Sequence, residues 1–405
     1  NIKDVYKEID RFREEVQNEV VNQKINNIGI MGNRGTGKTS VLKTIYATID
    51  KNKNKNGDVL LPIIVPENMS ECATLMDVIL GSFKCIVEQR KQQYSKRKYG
   101  DCIYSEDIGL DKAYNGLVQQ YCYIKKDYRD ILIQQFSTEQ YYINESKKVF
   151  NSDTRFIEKF REFLKELLPD DDGSNVTPML FIFIDDIDLS TRRCVDITRT
   201  LLSYLSDQRI ITFISGDEET YGESLTLDFL RQEDILNSVI NSSKEESLQL
   251  WKNKKKLAYE YLKKIIPPAN RYYVKRWSLE ERGKFFIYNP NIEKQITLSN
   301  LLSKLCKGKE GIFNFGEEGT QGNQCSDRRV FYHIFDDTSR GLNNIYNLLS
   351  EYDSDEEIDY LVYIKRVLDT LVASKQQFNI YQRAITENIV HIFPGDASID
   401  FSNAK

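Results

Sequence analysis

Two patterns of apolar residues alternate along this chain, residues three or four apart and short unbroken runs, and together they predict its elements. Val5, Ile9, Phe12, Val16 and Val20 line one face of a helix over residues 4–21. A run of Ile25, Ile28, Ile30 and Met31 then reads as a buried strand, and Val41, Leu42, Ile45 and Ile49 return to helical spacing. Val59 to Val65 is a second strand candidate, ended by Pro66. From about Ala73 to Leu168 the pattern is helical and rich in tyrosine.

A polar linker, LPDDDGSNVTP, leads into Met179–Ile184, an unbroken apolar run that marks a strand buried on both faces of a parallel sheet. The helix TRRCVDITRTLLSYLSDQR separates it from another buried strand, IITFIS, and a helix through YEYLKKIIPP and a short strand RYYVKRW follow. Residues 307–329 are glycine-rich and read as a mobile insertion. The helices GLNNIYNLLSEY and EIDYLVYIKRVLDTLVAS close the chain, without internal repeats. Strand, helix and strand in alternation predict an α/β fold built on a doubly wound parallel sheet. The expected organisation is an N-terminal helix (1–24), a core (25–277) with a helical insertion at about 73–170, an insertion or linker (278–327), and a helical lid opening a C-terminal region (328–405).

Composition narrows the class. At 405 residues the chain is long enough for two or three domains, and 40% hydrophobic with 29% charged residues is ordinary for a globular protein. No apolar run reaches membrane-spanning length and no signal pattern opens the sequence, so the expected location is cytoplasmic, with no membrane partner. The chain opens on Asn1 rather than methionine, as expected of a fragment or of a sequence with gaps closed up. A net charge of -5 argues against a broad polyanion-binding surface, and the tract EQRKQQYSKRKYG, followed by acidic residues, reads as a solvated helix end. Seven scattered cysteines without a C-x-x-C pair, and only two histidines, His333 and His391, argue against a zinc site or a disulfide framework.

The candidate chemistry is concentrated between the first strand and the helix after it. GNRGTGKTS fits G-x-x-x-x-G-K-[ST], with Gly32, Gly37, Lys38 and Thr39 at the fixed positions. Glycines let successive backbone N–H groups face one concavity at a helix N-terminus, where phosphate oxygens are favoured. Gly32, Asn33, Arg34, Gly35, Thr36, Gly37, Lys38, Thr39 and Ser40 are therefore the expected ATP-binding residues, with Lys38 on the β and γ phosphates and the Thr39 hydroxyl on Mg²⁺. The bland alternative is a glycine turn capping an ordinary helix.

A second acidic group matches the first. Asp185, Asp186 and Asp188 end the apolar run, where a carboxylate leaves a dry sheet at its C-terminal edge. Asp185 is the expected Mg²⁺ carboxylate, and Asp186 the group that polarises the attacking water. Ser215 and Asp217, at the tip of the next strand, are placed to sense the γ-phosphate. Arg340, just before a late helix, is placed to read phosphate charge in a bidentate manner. Taken separately, these are also a helix cap, a serine-glycine turn and a surface arginine.

The order of GNRGTGKTS, FIFIDDIDLS, FISGDEETY, YEYLKKIIPP and DTSRGLNN resembles the AAA+ and STAND-like ATPases over about residues 20–355, most closely the KAP-type group of bacterial defence proteins. IIVPENM and YLKKIIPPANR are similar to the ATPases of RADAR-type antiphage systems. The resemblance implies an ATP-hydrolysing homo-oligomeric ring, a helical lid carrying the sensor arginine, and a partner effector such as an adenosine deaminase. It also implies an arginine supplied in trans, for which Arg192, Arg193, Arg231 and Arg271 are candidates. The chain departs from many KAP-type members in having a polar helical insertion, without membrane segments, between the two motifs. Two other readings stand beside this one: an ATPase that handles nucleic acid as an initiator or loader, through RKQQYSKRKYG and WKNKKK, and a nucleotide-binding scaffold that hardly hydrolyses.

Overall fold

A computed structural model describes residues 2–18, 26–97, 106–125, 128, 130, 138–169, 176–188, 191–232, 244–288, 295–305, 335–351, 366–367 and 369–370. The glycine-rich stretch 307–329, both histidines and nearly all of the last expected helix lie outside these residues. The chain divides into two compact units: unit 1 comprises Asn1–Gly32 and Lys38–Tyr273, and unit 2 comprises Asn33–Gly37 and Val274–Lys405.

Unit 1 is built on a five-stranded, all-parallel sheet. Its strands are β1 (Asn27–Met31), β2 (Val59–Leu60), β3 (Leu180–Ile184), β4 (Ile210–Gly216) and β5 (Arg271–Tyr273), in the order β2-β3-β4-β1-β5. Parallel neighbours need a crossover, and helices supply it. After α1 (Ile2–Gln17), which precedes the sheet, α2 (Lys38–Asn56) joins β1 to β2. The helices α3 (Leu75–Arg97), α4 (Glu106–Ile124), α5 (Glu139–Val149) and α6 (Ser152–Leu167) lie between β2 and β3. β3 and β4 are joined by α7 (Thr191–Ser203), and β4 and β5 by α8 (Glu218–Gln232) and α9 (Lys244–Ile265).

Every residue of β1, β3 and β4 is buried, because helices cover both faces of the sheet. On one face Leu180, Ile182, Ile184, Ile210 and Ile214 join a core with Phe83, Phe160, Phe163, Leu201, Leu225 and Leu262 from α3, α6, α7, α8 and α9. On the other, Phe183 stacks on Phe213 at 4.8 Å and receives Tyr46 of α2 edge-on at 5.1 Å. Arg13 of α1 lies 5.6 Å over Phe181 on that same face. Its guanidinium also donates to Thr177 O (2.6 Å) and to Asp58 Oδ2 (2.6 Å). Asp58 in turn accepts from Met179 N at 3.0 Å, so one buried ion pair ties α1 to the start of two strands.

The expected strand over Val59–Val65 is interrupted, because Pro62 has no N–H to contribute to a ladder. The chain nevertheless stays beside β3: Leu61 N donates to Phe181 O (3.0 Å) and Ile64 N to Phe183 O (2.8 Å). β2 lies at the end of the strand order, where a proline is tolerated.

In unit 2, α10 (Leu279–Arg282), α11 (Leu298–Leu305) and α12 (Ser339–Ser350) surround a smaller core of Phe285, Leu298, Leu301, Phe335, Leu342, Ile345 and Leu349. Among the described residues no helix is long and apolar enough to cross a membrane.

Candidate functional site

The three strands that carry the candidate chemistry end together. Met31, the last residue of β1, pairs with Gly216 of β4, and Ile184, the last of β3, pairs with Ile214. Because the sheet is parallel, the glycine-rich loop, the Ser215 tip and the aspartates all leave from its C-terminal edge. β4 lies between the other two strands. Gly32 N donates to Gly216 O at 3.2 Å, which fixes the start of the loop to that tip.

Within unit 1, Ser215 organises the acidic turn. It is fully buried, donates its hydroxyl to Asp185 Oδ1, and accepts from the Asp186 N–H at 3.1 Å. Asp185 is 4% exposed, and its backbone N–H donates to Ile64 O at 2.8 Å. Asp186, half-buried, has φ 53°, left-handed backbone that aspartate tolerates better than most side chains. That conformation turns the chain off β3 immediately after Asp185. Behind the turn, the Cys194 thiol of α7 donates to Ile187 O at 3.4 Å, and burial pushes its pKa up to about 12. Asp188, which the sequence grouped with the other aspartates but gave no role, keeps Oδ1 buried and without a hydrogen-bond partner. A Cβ on Gly216 would stand 2.9 Å from that atom and 3.2 Å from Ile187, so the turn packs closely against this glycine.

Four of the other residues singled out in unit 1, Lys38, Asp217, Arg193 and Arg271, have definite partners. Lys38, 5% exposed in the first turn of α2, donates to Gly32 O at 2.8 Å. Thr39 is half-buried and Ser40 exposed in the same turn. Asp217 Oδ1 accepts from Glu219 N (3.1 Å) and Thr220 N (3.0 Å), so its carboxylate caps α8. Arg193 donates to the carbonyls of Ser70 (2.5 Å) and Ala73 and holds the loop before α3. Arg271 donates to Ile266 O at 2.9 Å and pairs with Glu218, which also accepts from Tyr273. Both arginines are thus engaged within their own chain. Arg231 is exposed at the end of α8, and the Arg192 side chain lies outside the described residues.

In unit 2, Asn33–Gly37 meets the N-terminus of α12. Thr338 caps that helix, accepting from Gly341 N at 3.1 Å, while Asp336 accepts from Thr338 N (3.0 Å) and Oγ1 (2.8 Å). The next residues bond to the loop: Ser339 Oγ donates to Thr36 O at 2.8 Å, and Arg340 N to Gly35 O at 3.1 Å. Thr36 is buried and donates to Asn33 O, whereas Asn33 and Arg34 are exposed. Arg340 is exposed as well, and its backbone N–H makes the bond to the loop. Gly35 (φ 83°) and Gly37 (φ 102°) have left-handed backbone, and a Cβ on either would crowd Thr338 or Ser339 at 3.1–3.2 Å. Sequence reasoning singled out Arg340 and passed over Thr338 and Ser339. The available signal was the Asp336-x-Thr338 pair ahead of an apolar run, which marks a helix start.

No protein-family model matches this chain, and no curated protein matches it.

Proposed function

We propose that the protein binds ATP with Mg²⁺ and hydrolyses it. The observation that carries the reading is the register of the parallel sheet, which brings the GNRGTGKTS strand and the Asp185–Asp186 strand to one edge with Ser215 between them. Ligands of open parallel sheets bind outside that edge. Thr39 and Asp185 are hard oxygen donors that fit Mg²⁺, an ion held by one or two protein oxygens together with phosphate oxygens rather than by a protein cage. Among the described residues no three His, Cys, Asp or Glu side chains form such a cage. The buried, unpartnered Asp188 Oδ1 at the same turn is the kind of atom that an ordered water or hydrated cation satisfies. When bound between Thr39 and Asp185, Mg²⁺ would supply positive charge that offsets the negative charge developing on the phosphoryl group.

The chain's own groups have separable tasks. The loop amides and the Lys38 ammonium hold the β and γ phosphates. Asp186 orients the attacking water and accepts its proton, while the buried Ser215 hydroxyl fixes Asp185 and the Asp186 backbone in one geometry. On the motif resemblance, the proposal extends to an AAA+-like homo-oligomeric ring whose helical lid falls within residues 328–405. It extends further to a partner effector, such as an adenosine deaminase, in bacterial antiphage defence.

The test is calorimetry with MgATP on the parent protein and on Lys38→Ala. The parent should bind and the variant should lose at least about a hundredfold in affinity, as expected when a charged hydrogen-bonding partner leaves a phosphate site. Equal affinities would remove Lys38 and its loop from the proposal.

A further inference from the structure

Ser339 lies far along the chain from the glycine-rich loop, and its chemistry is still directed at it. Its hydroxyl is held from both sides: Trp277 Nε1 donates to Ser339 Oγ at 3.0 Å, which commits the hydroxyl proton to Thr36 O at 2.8 Å. Trp277 is itself fixed. Its N–H donates to Asp337 O (2.8 Å), its carbonyl accepts from Arg282 Nε (3.2 Å), and its ring packs edge-on against Phe285 at 5.3 Å. Arg282 also donates to Phe335 O at 3.0 Å, closing the support around the start of α12.

The consequence follows from peptide geometry. A trans peptide is planar, with its C=O and N–H pointing in opposite directions, and the described chain has no cis bonds. With Thr36 O bonded to Ser339, the N–H of Gly37 must point away from α12. With Gly35 O bonded to Arg340 N, the next peptide toward the N-terminus is held in the same sense. The helix gains as well, because Arg340 N is one of the N–H groups that a helix start leaves without an internal partner. The positive φ of Gly35 and Gly37 leaves this backbone free to take other conformations, so an external clasp has something to fix.

We propose that Ser339 is a positioning residue for the phosphate loop: through the Thr36–Gly37 peptide it keeps the Gly37 N–H turned toward the side on which a phosphate is bound. The inference rests on the nucleotide reading above and deepens it at the Asn33–Gly37 loop.

The experiment measures MgADP affinity by calorimetry, and melting temperature without nucleotide, for the parent, Ser339→Ala, Trp277→Phe and Tyr346→Phe. The last variant is the control. It removes a hydrogen bond of the same kind in the same unit, Tyr346 Oη to Ile296 O at 2.7 Å, which does not touch the loop. Ser339→Ala should weaken MgADP binding about tenfold, the equivalent of one well-made hydrogen bond. Its melting temperature should fall no further than that of Tyr346→Phe. Trp277→Phe keeps the ring but frees the hydroxyl to rotate, and should weaken binding about threefold. Tyr346→Phe should bind as the parent does. A parent that does not bind MgADP sinks the nucleotide reading and this inference with it. A binding parent with an equally tight Ser339→Ala, or with a Tyr346→Phe as weak as Ser339→Ala, overturns the clasp alone.

Discussion

Replacing Ser215 with alanine deletes one hydroxyl from the middle of the acidic turn, and the structure sets the size of the effect. The hydroxyl donates to the Asp185 carboxylate, a charge-assisted hydrogen bond contributing about 1.5–3 kcal/mol. It also accepts from Asp186 N at 3.1 Å, and leaving this part-buried N–H without a partner costs about 1–3 kcal/mol. Relaxation of the turn recovers part of this, so the expected loss is about 2–4 kcal/mol out of a total of about 5–15 kcal/mol for a folded domain. Urea unfolding of the nucleotide-free protein measures it as a lower midpoint at unchanged slope. ATP turnover should fall about tenfold or more in the same variant, since Asp185 and Asp186 lose their common anchor. A serine acting only on the γ-phosphate would behave differently, with slower turnover and unchanged stability in the absence of nucleotide. Unfolding within about 0.5 kcal/mol of the parent, the range of an inconsequential substitution, would refute the anchoring argument.

Asp186→Asn keeps a side chain that tolerates φ 53° and should fold as the parent does. It should turn over ATP about a hundredfold more slowly at near-normal affinity, and turnover at the parent rate would move the base elsewhere. Arg13→Met strands the buried Asp58 carboxylate and should lose about 3–5 kcal/mol in chemical denaturation. Adding Asp58→Asn should recover part of that loss, while a single-variant loss under about 1 kcal/mol would mean that the pair is effectively solvated. Cys194 is buried with its pKa pushed up to about 12, so at pH 8 almost none of it is thiolate, whereas Cys72, Cys85 and Cys122 are exposed. Iodoacetamide followed by peptide mass spectrometry should find those three modified and Cys194 spared until the protein unfolds; labelling of Cys194 at the rate of Cys72 would contradict its burial.

The sequence by itself determined what is encoded within a few residues. The apolar runs of β3 and β4 read as strands buried on both faces, and the spacing of Leu42, Ile45 and Ile49 as the inner face of a helix. The glycines of GNRGTGKTS likewise announced a flexible loop at a helix start, and the structure gives Gly35 and Gly37 the positive φ that glycine takes most freely. It was the closure of long stretches of chain that decided the partners. Ser215 reads in the sequence as a group at a strand tip, and only the register of β3 and β4 places Asp185 and Asp186 against its hydroxyl. Asp217 reads as a second sensor in the sequence, and the fold adds that its carboxylate caps the helix that follows it. Arg193 and Arg271 carry the same charge as Arg231 in the sequence, and only the fold engages the first two with carbonyls and a carboxylate of their own chain. Ser339 and Thr36 lie 303 residues apart, and nothing in the local pattern of either names the other. Periodicity and backbone preference are set by neighbours along the chain, whereas a hydrogen-bond partner is set by which surfaces meet once apolar burial has closed the loops between them.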